Sequence, residues 1–139
     1  MSPETSFVNF AYGSNMSSRR LRARTPSAQP IGVGQLSGHR LMWHKAGRDG
    51  SGKCDAFETG DAKDAVWGVL YRIDLSERVH LDLAEGLGHG YEHKRVQVQT
   101  AAGSVVAGVY HATHIDASLS PFDWYLAYVQ HGAREHGLP

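Results

Sequence analysis

Ala65-Val66-Trp67-Gly68-Val69-Leu70-Tyr71-Arg72-Ile73 is almost unbroken apolar sequence. A half-buried strand alternates apolar and polar residues. A near-continuous run of this length reads instead as a central strand covered on both faces. The rest of the chain must supply that cover. Directly after it, Asp74-Leu75-Ser76-Glu77 gives an aspartate version of a helix capping box. Leu75, Val79 and Leu83 follow at i, i+4 spacing, which predicts a helix with that stripe as its apolar face, stopped at Gly86. Residues 91–100 alternate over Val96 and Val98. Ala101-Ala102-Gly103 can turn into a partner strand over 104–113, so the pair reads as a hairpin. Ser120-Pro121 predicts the start of a last helix with Phe122, Tyr125, Leu126 and Val129 as its apolar face and Gly137 as its end.

The N-terminal half opens with Phe7-Val8-Asn9-Phe10-Ala11-Tyr12-Gly13-Ser14-Asn15-Met16. An apolar run ends abruptly in Tyr-Gly-Ser-Asn, and a basic segment follows, which Arg24-Thr25-Pro26-Ser27 stops. The pattern reads as strand, tight turn and helix. Gly13 allows a sharp turn and close approach of a ligand. Ser14 or Asn15 is the expected helix cap, and the N–H groups there would suit a carboxylate or a phosphate. Arg19, Arg20, Arg22 and Arg24 read either as a solvated helix face or as an attractor for an anionic substrate. Residues 31–43 look extended, with Val33, Leu36, Leu41 and Trp43 as apolar candidates. Gly32-x-Gly34-x-x-x-Gly38 has the wrong spacing and context for dinucleotide binding and is expected to let a strand bend. Residues 45–63 turn polar and glycine-rich, as a lid, a pocket rim or a plain surface hairpin would.

Strands and helices are mixed rather than strictly alternating. This predicts an α+β fold, a small, largely antiparallel curved sheet flanked by helices, in one domain over residues 1–139. With 41% hydrophobic and 20% charged residues the chain is neither disordered nor membrane-spanning in composition. A formal net charge of zero gives no steering toward nucleic acid or an anionic membrane. No run is long enough to span a bilayer, and the N-terminus does not read as a signal peptide. Cys54 stands alone, so no intrachain disulfide forms. The expected setting is the cytoplasm.

The second informative stretch is Leu81-Asp82-Leu83-Ala84-Glu85-Gly86-Leu87-Gly88-His89-Gly90-Tyr91. Glu85 sits at a predicted helix C-terminus, whose partial negative charge raises a carboxyl pKa. Burial beside Tyr91 would raise it further, as a general base and acid working near neutrality requires. The plain alternative is a helix-end surface residue. Asp82 reads as solvated or structural. The histidines show no dedicated metal-ligand spacing: His89 and His93 are interrupted by Gly90, and His111 and His114 straddle a strand end. Ser14 lacks the second glycine of a nucleophile elbow, and Cys54 lacks a nucleophile motif.

Phe10-Ala11-Tyr12-Gly13-Ser14-Asn15-Met16 resembles the signature of the gamma-glutamylcyclotransferase-like superfamily, which includes gamma-glutamylcyclotransferase and the enzyme that unmasks a gamma-glutamyl-protected aminoglycoside. Three further blocks agree in order: Val66-Trp67-Gly68-Val69-Leu70-Tyr71, then Leu81-Asp82-x-x-Glu85-Gly86 with Gly90-Tyr91, then Gly132-Ala133-Arg134-Glu135-His136-Gly137-Leu138-Pro139. The resemblance implies a small mixed β-barrel flanked by helices. It implies intramolecular aminolysis of a γ-glutamyl amide to 5-oxoproline and a free amine, without cofactor or metal. Glu85 matches the family's catalytic glutamate. Tyr12, Gly13, Ser14 and Asn15 would grip the substrate's head group. Tyr91, Tyr110 and Tyr125 would help bind and position it. The implied partner is a small molecule, with no nucleic acid or membrane, and a homodimer is compatible with it. Many relatives continue past the position of Pro139. Asp49-Gly50-Ser51-Gly52-Lys53 is closer to bacterial relatives than to the glutathione-pathway enzyme, which leaves the leaving amine open. Two competing readings are a non-catalytic binding module for a carboxylate metabolite or peptide, and cleavage of a γ-glutamyl-lysine isopeptide.

Overall fold

A computed structural model of the chain describes residues 5–47, 49–85, 87–88 and 90–139. Gly86, the expected helix stop, and His89 lie outside the described residues. In chain order the elements are β1 (Ser6–Ala11), a 3-10 turn (Ser14–Met16), α1 (Ser18–Arg24), β2 (Gln29–Ser37), β3 (His39–Ala46), β4 (Gly52–Glu58) and β5 (Ala65–Asp74). A second 3-10 turn (Leu75–Glu77), α2 (Arg78–Glu85), β6 (Tyr91–Thr100), β7 (Gly103–Ala112) and α3 (Asp123–Glu135) follow.

Five strands close into a barrel in the order β1-β5-β2-β6-β7, and β3 and β4 pair as a separate hairpin. The apolar run is the centre of the barrel wall, as expected, but it is not covered on both faces throughout: Trp67 is 41% exposed. β5 pairs antiparallel with β1 along Ser6–Ala11 and with β2 on its other edge. Val66, Val69, Leu70, Tyr71 and Ile73 are fully buried, together with Phe10, Leu36, Val98 and Val109 from the other strands. The seam is unlike the rest of the wall. β1 and β7 run parallel and are in register at the single pair Asn9 and Gly108.

Residues 31–43 are extended but belong to two strands in different sheets. Gly38, at φ +75°, makes the turn between them, a conformation open to glycine without strain. The bend expected from the glycines lies in β2, whose register shifts between Pro30 and Gly32. The polar 45–63 segment resolves into the β3–β4 hairpin. It is fastened by a buried pair: His44 Nε2 lies 2.7 Å from Asp55 Oδ2, and Asp55 Oδ1 accepts from the Ala112 N–H at 2.8 Å.

Three local expectations are corrected. The cap of α1 is Ser17, whose hydroxyl accepts from the Arg20 N–H, and neither Ser14 nor Asn15 takes that role. Those two belong to the preceding 3-10 turn, closed by Met16 N–H to Gly13 O and Ser17 N–H to Ser14 O. The last helix begins at Asp123 without a side-chain cap, because its N-cap position is held by Phe122, which has no side-chain acceptor, and not by Ser120. Its buried side chains are Tyr125 and Val129, whereas Phe122 is exposed. Third, the Leu75, Val79 and Leu83 stripe faces outward, at 45, 56 and 75% exposure, and Leu81 is the buried residue of α2.

The reason for the last reversal is polar. Arg78, Asp82 and Glu85 recur at i, i+4, i+7, on the same side as Leu81 at about 100° per residue. Arg78 Nη2 bonds His93 Nδ1 at 3.1 Å, Asp82 accepts from the Tyr110 hydroxyl, and Glu85 accepts from Asn15. Three anchors and one buried leucine outweigh the apolar stripe. α3, meanwhile, holds the 3-10 turn in place. A Cβ on Gly132 would stand 2.6 Å from Met16 Cβ and Ser17 N, so only glycine permits that approach.

Candidate active site

Where β1 ends, the chain leaves the barrel through Tyr12 and Gly13 and enters the 3-10 turn. α2 delivers Glu85 to the same place from the other side. A cavity opens between them. It is lined by the 9–15 segment, Cys54, Glu85, Tyr110 and Tyr125. The strand–turn motif and the glutamate, 70 positions apart, therefore meet on one cavity.

Contact between them is direct. Asn15 Nδ2 donates to Glu85 Oε1 at 2.5 Å, and Arg24 Nη1 donates to Asn15 Oδ1 at 3.0 Å. Arg24 Nη1 also lies 3.8 Å from Glu85 Oε1, with the two side chains 26 and 16% exposed. Glu85 is thus not a solvated helix end. Burial raises its pKa above the ordinary carboxylate value. The charge of Arg24, the Asn15 hydrogen bond, and Lys45 and Arg20 pull it partly back. The direction is the expected one, but the principal cause is burial.

Ser14 Oγ accepts from Arg20 Nε at 3.1 Å, and the Arg20 guanidinium stacks 4.7 Å over the Tyr128 ring. Arg20 and Arg24 therefore brace the cavity-lining Ser14, Asn15 and Glu85 rather than forming a free solvated face. The spacing of basic residues gave no sign of which two would turn inward, because that depends on where the 3-10 turn ends and α1 begins. Gly13 sits against β4 and α3: a Cβ there would be 3.1 Å from Cys54 Cβ and 3.3 Å from the Tyr125 hydroxyl.

The tyrosines divide into lining and supporting groups. Tyr12 donates to the Tyr110 carbonyl at 2.6 Å, and Tyr110 donates to Asp82. Tyr125 accepts from the Cys54 N–H at 3.1 Å. Tyr91 donates to the Cys54 carbonyl at 2.5 Å and is not among the described residues that line the cavity. Burial pushes all four phenols above their usual range, so they carry their protons at neutral pH and do not act as bases. Burial also pushes the Cys54 thiol up to about 12, which leaves it neutral. Glu85 is the proton acceptor that this set provides. Among the described residues no group of three or more His, Cys, Asp or Glu side chains could hold a metal ion.

Residues 65–139 match the AIG2-like family. Gamma-glutamylcyclotransferase of Bos taurus is 33% identical over 147 residues, covering 96% of this chain and 73% of the relative. The Homo sapiens protein of the same name is 32% identical, covering 98 and 74%. This chain belongs to the gamma-glutamylcyclotransferase family. A solved gamma-glutamyl cyclotransferase superimposes with a TM-score of 0.89 at 30% identity, over 96% of this chain and 82% of that one. As a member of that family the chain is an enzyme of the gamma-glutamylcyclotransferase type.

Proposed function

We propose that the cavity cyclises a γ-glutamyl amide, with Glu85 as general base and then general acid. The observation that carries this reading is the joint lining of one cavity by Glu85 and the Gly13–Asn15 turn, with Asn15 bonded to the carboxylate. The Glu85 carboxylate takes a proton from the substrate α-ammonium. The freed nitrogen attacks the γ-carbon, a nitrogen–carbon bond forms, and the carbonyl electron pair moves to oxygen. Collapse of that oxyanion breaks the original amide bond: the departing nitrogen takes its proton from Glu85, and the regenerated carboxylate then takes the extra proton from the new ring nitrogen and passes it to the released amine. The products are 5-oxoproline and the free amine; no water is consumed.

Nucleophile and electrophile are already in one molecule, so the enzyme's main task is to enforce the ring-closing conformation. We assign the substrate's head group to Tyr12, Gly13, Ser14 and Asn15, with Arg20 and Arg24 supplying positive charge beside them. Tyr110 and Tyr125, as protonated phenols, suit polar groups of the substrate. Tyr91 supports the cavity through Cys54. The same reading takes residues 1–139 as one domain acting on a small molecule in the cytoplasm. No helix among the described residues is long and apolar enough to cross a membrane. A binding module without turnover would be favoured by a solvent-facing Glu85, and the carboxylate is instead enclosed.

The test is a panel of γ-glutamyl amino acids, peptides and amines, read by 5-oxoproline release. Glu85→Gln keeps the shape and the Asn15 contact but loses the base. Its kcat is expected to fall about 10²- to 10⁴-fold with substrate binding largely retained. Normal turnover by that variant would sink the mechanism.

A further inference from the structure

One polar side chain of the cavity is left out of this account. Asn9 lies at the barrel seam, between its β5 neighbour Tyr71 and its β7 neighbour Gly108. It is 2% exposed and lines the same cavity as Glu85, Asn15 and Tyr110. Its Oδ1 is buried with no hydrogen-bond partner among the described residues. The flanking residues of β1, Val8 and Phe10, are apolar, so the amide is an isolated polar group in an apolar strand. A buried acceptor without a donor destabilises the fold that holds it, and in a native structure it calls for a missing partner.

We propose that Asn9 Oδ1 is a substrate-binding acceptor for the α-ammonium of the γ-glutamyl group. The inference rests on the cyclotransferase reading above. A γ-glutamyl amide offers few donors. Its α-carboxylate and γ-carbonyl are acceptors and cannot pair with Oδ1, which leaves the α-ammonium and the N–H of the amide being cleaved. The α-ammonium is the group whose orientation decides ring closure. It has three N–H bonds, of which Glu85 consumes one. A second, held on Asn9, fixes the direction in which the nitrogen lone pair emerges when Glu85 takes the proton. Asn9 thereby aims the nucleophile, while Asn15, already engaged with Glu85 and Arg24, aims the base.

The experiment compares wild type with Asn9→Leu, which is similar in size and lacks the acceptor. Two ligands are used: a γ-glutamyl amide, and the corresponding glutaryl amide, which is identical but has no α-amine and cannot cyclise. The expected result has three parts. The kcat/KM for the γ-glutamyl amide falls about tenfold or more. The inhibition constant of the glutaryl amide stays unchanged. The melting temperature is equal to or above that of wild type, because an unpaired buried acceptor has been removed. Asn9→Ala, which frees space, carries the same comparison if leucine prevents folding. Parallel weakening of both ligands would overturn the proposal, since Asn9 would then bond the amide N–H or merely shape the cavity. Unchanged kcat/KM would overturn it too. Absence of 5-oxoproline release by wild type across the whole panel would instead sink the cyclotransferase reading. Calorimetric binding of the two ligands would then still decide whether Asn9 reads an amine.

Discussion

Glu85 works under opposing influences. Burial raises its pKa, and Arg24, Asn15, Lys45 and Arg20 hold the rise down. A carboxyl whose pKa is raised in the folded state favours the protonated form there. Its contribution to stability is full below the unfolded pKa and is lost as pH rises through the folded value. The ionised form, which the proposed mechanism uses as its base, is therefore the less stable one. The acid limb of kcat/KM is expected above the ordinary carboxylate range, at the raised pKa of the free enzyme. Arg24→Gln removes the strongest opposing charge. It should move that limb to still higher pH and lower activity at neutrality, which a pH–rate profile of the two proteins checks. A limb that stays in place would mean that Arg24 does not act on the carboxylate. Of these residues, the Tyr12–Asn15 turn and Glu85 were legible in the sequence, because each sits at a strand or helix end with glycine beside it. Arg24 and Asn9 were not. Arg24 reads as one of four basic residues in a row of helix, and Asn9 as a lone polar residue in an apolar strand. Their meaning comes from what the fold brings opposite them.

α2 shows how a helix can be built against its own apolar pattern. Val79 and Leu83 make a stripe that by periodicity belongs in a core, yet both face solvent, and Leu81 alone is fully buried. Propensity and patterning are local preferences that tertiary hydrogen bonds override. Arg78, Asp82 and Glu85 each find a partner outside the helix, and turning α2 over would leave those partners unmatched. Leu81→Ala is accordingly expected to cost about 2–5 kcal/mol. Leu83→Glu, at the exposed end of the stripe, should stay within about 0.5 kcal/mol of wild type. Denaturant titration of both variants separates this orientation from the one that periodicity predicts, in which the costs would be reversed. The barrel strands were easier to read, since β5, β6 and β7 carry contiguous apolar or alternating runs whose burial does not depend on a helix phase.

At the scale of the molecule, the Asn15–Glu85 pair exists only because distant segments are closed into a ring. β5 joins β1 to β2, β6 and β7 follow, and the wall is completed where Asn9 meets Gly108. Asn15 and Glu85 then come within hydrogen-bonding distance across 70 positions of chain. Contacts of such separation are slow to form, because loop-closure entropy is lost before any contact compensates for it. Local structure alone gives no partial site: neither β1 with its turn nor α2 with its glutamate holds a base and a head-group clamp together. After dilution from denaturant, 5-oxoproline release is expected to return with the slowest folding phase and not with early collapse. Activity in a collapsed intermediate would show that the seam is dispensable. On the proposed chemistry, ring closure in the substrate thus waits on ring closure in the protein, and a chain released before its seam has formed would be inactive even with every element of secondary structure in place.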